Sequence, residues 1–186
     1  MEFIGYIVLA LGLSAACFST AVHTAVYRCL DWKETFVMAL VMSVIQAALL
    51  SLGWITGRAF AGIMESSGYL IAMFVFVFIG VRMFYELRKR NPVIRTISQN
   101  EIKLHLGFAF LVSANSFFAG IALGFTATRI WIQVPMLFIA TSLLAITGVR
   151  LGLTGRIRPA FSAEMTASLM MWLVALSMLL QYLSIM

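Results

Sequence analysis

Asn115 stands near the middle of the apolar run Leu106–Thr128, with Ser113 and Ser116 beside it. An amide there is costly unless a partner meets it, and its carbonyl oxygen can take a hydrogen bond or coordinate a cation. Ser14 and Ala16 hold the corresponding places in the first run, Phe3–Val26, and Gln46 puts a second amide at the centre of Phe36–Gly57. Neutral oxygens set among small residues suit the lining of a passage for an ion or solute. They suit helix packing in lipid equally well, and an interhelical hydrogen bond is the structural reading of Gln46. His23, near the inner end of the first run, is either an interfacial imidazole or a proton relay. Glu65 and Glu164 open the third and sixth runs, where a carboxylate complements the positive end of a helix dipole and can also gather cations at a pathway mouth. Cys17 and Cys29 suggest neither a disulfide nor a metal cluster. No nucleophile and base pair, phosphate-binding glycine loop or His/Cys metal set is present, so no catalytic residue, resident cofactor or enzyme activity is expected.

The elements that must position these groups follow from composition. With 62% hydrophobic and 11% charged residues, the chain has too much apolar surface for a water-soluble domain of its size. Six uncharged runs, Phe3–Val26, Phe36–Gly57, Ser66–Val81 (extending to Tyr85 if Arg82 snorkels), Leu106–Thr128, Ile130–Val149 and Met165–Met186, approach or exceed the length a spanning helix needs. Backbone polar groups in hydrocarbon must be satisfied inside a helix or a closed barrel, and these runs lack the alternation of barrel strands. The fold class is an all-α integral membrane protein of six transmembrane helices, with the lipid bilayer as its first partner.

Charge orients the bundle. If the first residue faces outward, Arg28, Lys33, Arg88, Lys89, Arg90, Arg95, Lys103, Arg150, Arg156 and Arg158 fall on cytoplasmic loops, Arg82 snorkels to the same side, and only Arg58 and Arg129 lie outside. The positive-inside rule therefore predicts both termini outside, in the inner (cytoplasmic) membrane of a bacterium. The net charge of +6 then faces anionic lipid headgroups, and no groove-reading motif points to nucleic acid. The first run lacks the basic leader of a signal peptide, carrying Glu2 instead, and is expected to stay as a helix.

The chain also repeats. A shift of 98 or 99 positions lays Ser14-Ala15-Ala16-Cys17-Phe18 on Ser113-Ala114-Asn115-Ser116-Phe117, Thr56-Gly57-Arg58 on Thr154-Gly155-Arg156 and Glu65 on Glu164. Residues 1–86 form one three-helix repeat, 87–104 a basic cytoplasmic linker stopped by Pro92, and 105–186 the second repeat. Three spans per half is odd, so the second half enters the membrane from the opposite side. Inverted repeats are a common plan of secondary transporters, with the substrate site at the midplane between the halves.

The motif Gly12-Leu13-Ser14, its second copy Val112-Ser113-Ala114-Asn115, the segment Leu52-Gly53-Trp54 and the segment Phe78-Ile79-Gly80-Val81-Arg82-Met83 together resemble the manganese efflux pumps of the MntP type, in the lysine-exporter superfamily. The likeness runs nearly the full length. It implies membrane transport, with a divalent cation such as Mn²⁺ as substrate rather than cofactor. Family members carry an aspartate in both motif copies and a glutamate on the second helix. This chain has Ala16, Asn115 and Gln46 there, so the resemblance assigns the metal-handling positions to neutral groups. Mn²⁺ is a hard cation that prefers carboxylate, carbonyl and water oxygens. Two classes of function follow. One is a transporter working by alternating access around Ser14, Ala16, Gln46, Ser113, Asn115 and Ser116, carrying a divalent cation or another small solute. The other is a transport-inactive relative that scaffolds or regulates a membrane complex, with a homo-oligomer or a membrane partner.

Overall fold

A computed structural model describes residues 3–27, 31–62, 68–88, 102–126, 128–154 and 158–185. They form six helices: α1 (Phe3–Tyr27), α2 (Trp32–Ala61), α3 (Gly68–Arg88), α4 (Ile102–Phe125), α5 (Ile130–Leu153) and α6 (Arg158–Ile185). Five are long and apolar enough to cross a membrane, and α4 carries the apolar stretch Ser113–Phe125 within its 24 residues. No strand occurs among the described residues. Several helices outrun the apolar segments that predict them, because polar residues can extend a helix into the headgroup region. At the start of α2 the Asp31 N–H donates to Glu34 Oε2 at 3.4 Å and the Thr35 N–H to the Asp31 carbonyl at 2.9 Å, so this helix begins on polar residues. Most of the basic linker, residues 89–101, lies outside the described residues.

The distribution of side chains is that of a protein dissolved in lipid. Phe36, Ile55, Phe74, Phe78, Leu173, Leu176 and Leu180 face outward, while Ser14, Ser43, Gln46, Ser113, Ser116, Gln133 and Thr141 are all but fully buried. An apolar exterior around buried polar groups inverts the soluble pattern.

Helices of the first three spans pack chiefly on helices of the last three. The close pairs are α2 with α4, α1 with α5 and α3 with α6, followed by α1 with α6, α2 with α5 and α3 with α4. Glycines allow the first two pairs to bring backbones into contact. A Cβ at Gly53 would fall on the Phe117 carbonyl and one at Gly57 on the Ile121 carbonyl, while Gly120 and Gly124 receive α2 from the other side. In the same manner Gly148 meets the Phe18 carbonyl and Gly152 the Val22 carbonyl. Small residues at such spacing are how membrane helices gain van der Waals contact where lipid supplies no hydrophobic drive.

These contacts also fix direction. Rising numbers on α1 meet rising numbers on α5, and likewise on α2 and α4, so each of these pairs is parallel. Between α2 and α5 the order reverses: the Arg150 guanidinium lies 4.0 Å from the Trp32 ring centre, Ser142 meets Ser43, and Thr141 meets Gln46. It follows that α2 opposes α5 and α1 opposes α4. The packing network maps onto itself when α1, α2 and α3 are exchanged with α4, α5 and α6.

Candidate functional site

Where α1, α2 and α5 meet, one amide ties three helices. Gln46 Nε2 donates to the Leu13 carbonyl at 2.9 Å, and Gln46 Oε1 accepts from Thr141 Oγ1 at 2.9 Å and from Cys17 Sγ at 3.1 Å. The amide's orientation follows from its neighbours, since a backbone carbonyl can only accept. Both lone pairs of Oε1 are thereby used. One turn away, the Ser43 and Ser142 hydroxyls lie 2.7 Å apart, within reach of the Ala39 and Phe138 carbonyls respectively; with one proton each, one serine donates to the other and the second donates to the carbonyl of its own helix. Ser14, fully buried, donates to the Leu11 carbonyl at 3.1 Å. Ala16 offers no polar side chain, and its carbonyl accepts the Thr20 hydroxyl.

The second polar locus joins α3 to α4. Arg82 Nη1 donates to Asn115 Oδ1 at 2.9 Å, and Asn115 is buried. The sequence alone has Arg82 snorkel to the cytoplasmic side and gives it no partner on α4. Gly68 packs on the Phe125 carbonyl, so α3 and α4 run antiparallel; from that contact Arg82 lies fourteen residues along, about 21 Å, and Asn115 ten, about 15 Å. A helical side chain leans toward its own N-terminus, which carries the long Arg82 stem back to the depth of Asn115. Beside Asn115, the Ser113 and Ser116 hydroxyls are buried with no hydrogen-bond partner among the described residues.

The predicted site residues therefore divide into two loci. Gln46 ties the α1/α2/α5 junction, Ser14 and Ala16 belong to α1 without a side-chain bond to it, and Ser113, Asn115 and Ser116 belong to α4, with Asn115 turned to α3. His23 is half-buried toward the end of α1, its Nδ1 without a partner. Glu65 lies outside the described residues, and so does the side chain of Glu164 on α6. Among the described residues no three His, Cys, Asp or Glu side chains gather closely enough to hold a metal ion. Sequence reasoning missed Thr141, the Ser43–Ser142 pair and the donor role of Cys17. It also missed Gln133, fully buried on α5, whose Nε2 points to the Tyr6 carbonyl at 3.5 Å while its Oε1 has no partner among the described residues. The available signal for Thr141 was its place at the centre of the fifth run, as Gln46 is central to the second.

The family model described as "Putative manganese efflux pump" matches residues 29–179. Relatives named "Putative manganese efflux pump MntP" include one from Crocosphaera subtropica, 26% identical over 153 residues that cover 82% of this chain and 81% of the relative. One from Methanosarcina barkeri is 29% identical, with 82% of each chain covered. One from Bacteroides fragilis is 25% identical over 65% of this chain and 63% of its own. No solved structure matches. A family match that begins before α2 and ends within α6 takes in both polar loci except the part contributed by α1, and the chain belongs to the MntP family.

Proposed function

We propose that this protein is a multi-pass transporter that exports manganese, or a divalent cation like it, across the cytoplasmic membrane, with both termini outside. The observation that carries the reading is the family match over residues 29–179, in relatives named for manganese efflux. An inverted repeat is supported by the opposed directions of α1 and α4 and of α2 and α5, and by a packing network unchanged on exchange of the halves.

The units that move in this reading are not the sequence halves, because α1–α3 do not pack as a body of their own. The glycine contacts make α1/α5 and α2/α4 the stiff pairs, and the Gln46, Thr141, Ser43 and Ser142 seam is where they meet. Shear along that seam would alternately open it to the two sides. A hard cation entering it takes the place of hydrogen-bond donors on neutral oxygens: Thr141 and Cys17 release Gln46 Oε1, which turns to the ion with serine hydroxyls and water. Neutral ligands compensate less of the ion's hydration than carboxylates do, so the site favours brief occupancy and release.

A second reading, a transport-inactive subunit of a membrane complex, is favoured by one observation: both central amides are already bonded to protein groups. Cellular manganese separates the two. Expression of the chain in cells lacking their own exporter should lower total manganese and raise tolerance to added Mn²⁺, and Gln46→Leu should abolish both effects. Unchanged manganese, with a membrane protein that co-purifies in fixed proportion, would replace the export reading with the second.

A further inference from the structure

We infer that Arg82 is a specificity-determining residue of the transport site, an internal cation that competes with the cargo for Asn115. This rests on the export reading and adds a second site group to it. A guanidinium stays charged at any pH the protein meets, and here it holds Asn115 Oδ1 at 2.9 Å. That oxygen is the amide's only acceptor atom, and a metal ion bound to it would sit close to the guanidinium, where a divalent and a monovalent cation repel strongly in a membrane interior. The guanidinium and the ion therefore exclude each other. Ser113 and Ser116, on other faces of α4 than Asn115, are buried with no hydrogen-bond partner among the described residues. A cation that displaces Arg82 gains the Asn115 carbonyl oxygen. Because Arg82 belongs to α3, its departure and return link the occupancy of α4 to the α3/α6 pair, and its return expels the ion.

Charge, not shape, is the operative property, so the variants separate the two. In inside-out membrane vesicles containing the full chain, Arg82→Gln should lower the Mn²⁺ concentration for half-maximal uptake by about tenfold and slow the maximal rate, since competition and expulsion are lost together. Arg82→Lys keeps the charge and should stay near the wild-type half-saturation. Asn115→Asp alone should not tighten Mn²⁺ binding, because the new carboxylate pairs with Arg82; Asn115→Asp with Arg82→Gln should. An unchanged half-saturation in Arg82→Gln, or an equal shift in Arg82→Lys, would reduce Arg82 to a packing contact and overturn the inference. If the wild type moves no manganese the export reading falls, and the competition is then read from Mn²⁺ binding to the detergent-purified chain. Equal affinity of the Asn115→Asp single and Arg82→Gln/Asn115→Asp double variants would overturn it there.

Discussion

Positions that helix packing sets in correspondence between the first three helices and the last three hold different chemistry. On α1 and α2, Cys17 and Gln46 bond to each other; their counterparts on α4 and α5, Ser116 and Thr141, do not. The counterparts are set by packing: Phe18 and Val22 meet glycines of α5 as Phe117 and Ile121 meet glycines of α2, a shift of 99 on one side, while Gly53 and Gly57 correspond to Gly148 and Gly152, a shift of 95 on the other. Thr141 lacks the reach of an amide, so it spends its hydroxyl proton on Gln46 and leaves Ser116 alone. A difference of two heavy atoms in side-chain length thus closes one junction with protein groups and leaves the other with buried hydroxyls. Each such hydroxyl costs about 1–3 kcal/mol unless something polar meets it.

The severest test of that correspondence addresses the glycine contacts. Gly57→Leu and Gly152→Leu should each destabilise the detergent-solubilised protein by about 3 kcal/mol or more, since backbone lies where the new side chain must go. Gly62→Leu, with open space around it, should leave the unfolding midpoint unchanged. Unequal losses at 57 and 152 would break the equivalence of the two halves. Gln46→Leu should come next, at about 2–4 kcal/mol, because it removes the bond to the Leu13 carbonyl and strands the Thr141 and Cys17 donors. The smallest effects sharpen the contrast most. Cys17→Ala should cost about 1 kcal/mol, whereas Ser116→Ala, which removes a hydroxyl with no partner, should be neutral or slightly stabilising while slowing manganese export. A Ser116→Ala protein that is less stable and equally active would make that hydroxyl structural.

The helices were legible because apolar length is a direct consequence of bilayer thickness, and their ends were not, because Asp31 and Glu34 can cap a helix outside the hydrocarbon that the apolar count measures. The shift of 99 for α1 on α4 could be read from Ser14 to Phe18 against Ser113 to Phe117. For α2 on α5 the Thr-Gly-Arg match misled by about one turn, since three loop-proximal residues outweighed the spacing of the packing glycines. Of the site, Gln46 and Asn115 stood out as amides in hydrocarbon, but their partners did not. Cys17 looked like a small packing residue, and Arg82 near a helix end satisfies the snorkelling rule in either direction until α4 supplies an acceptor.

Interleaved packing has a consequence for biosynthesis. The close partners of α1 are α5 and α6, so α1 leaves the ribosome first of the three and waits in the bilayer for the other two. A nascent chain halted after α3 holds three inserted but unassociated segments, with Gln46 still lacking its α5 contact and the glycine faces of α2 turned to lipid. This packing is reached only once α6 has been made, and two co-expressed fragments divided between α3 and α4 carry the packing faces through which α1, α2 and α3 meet α4, α5 and α6.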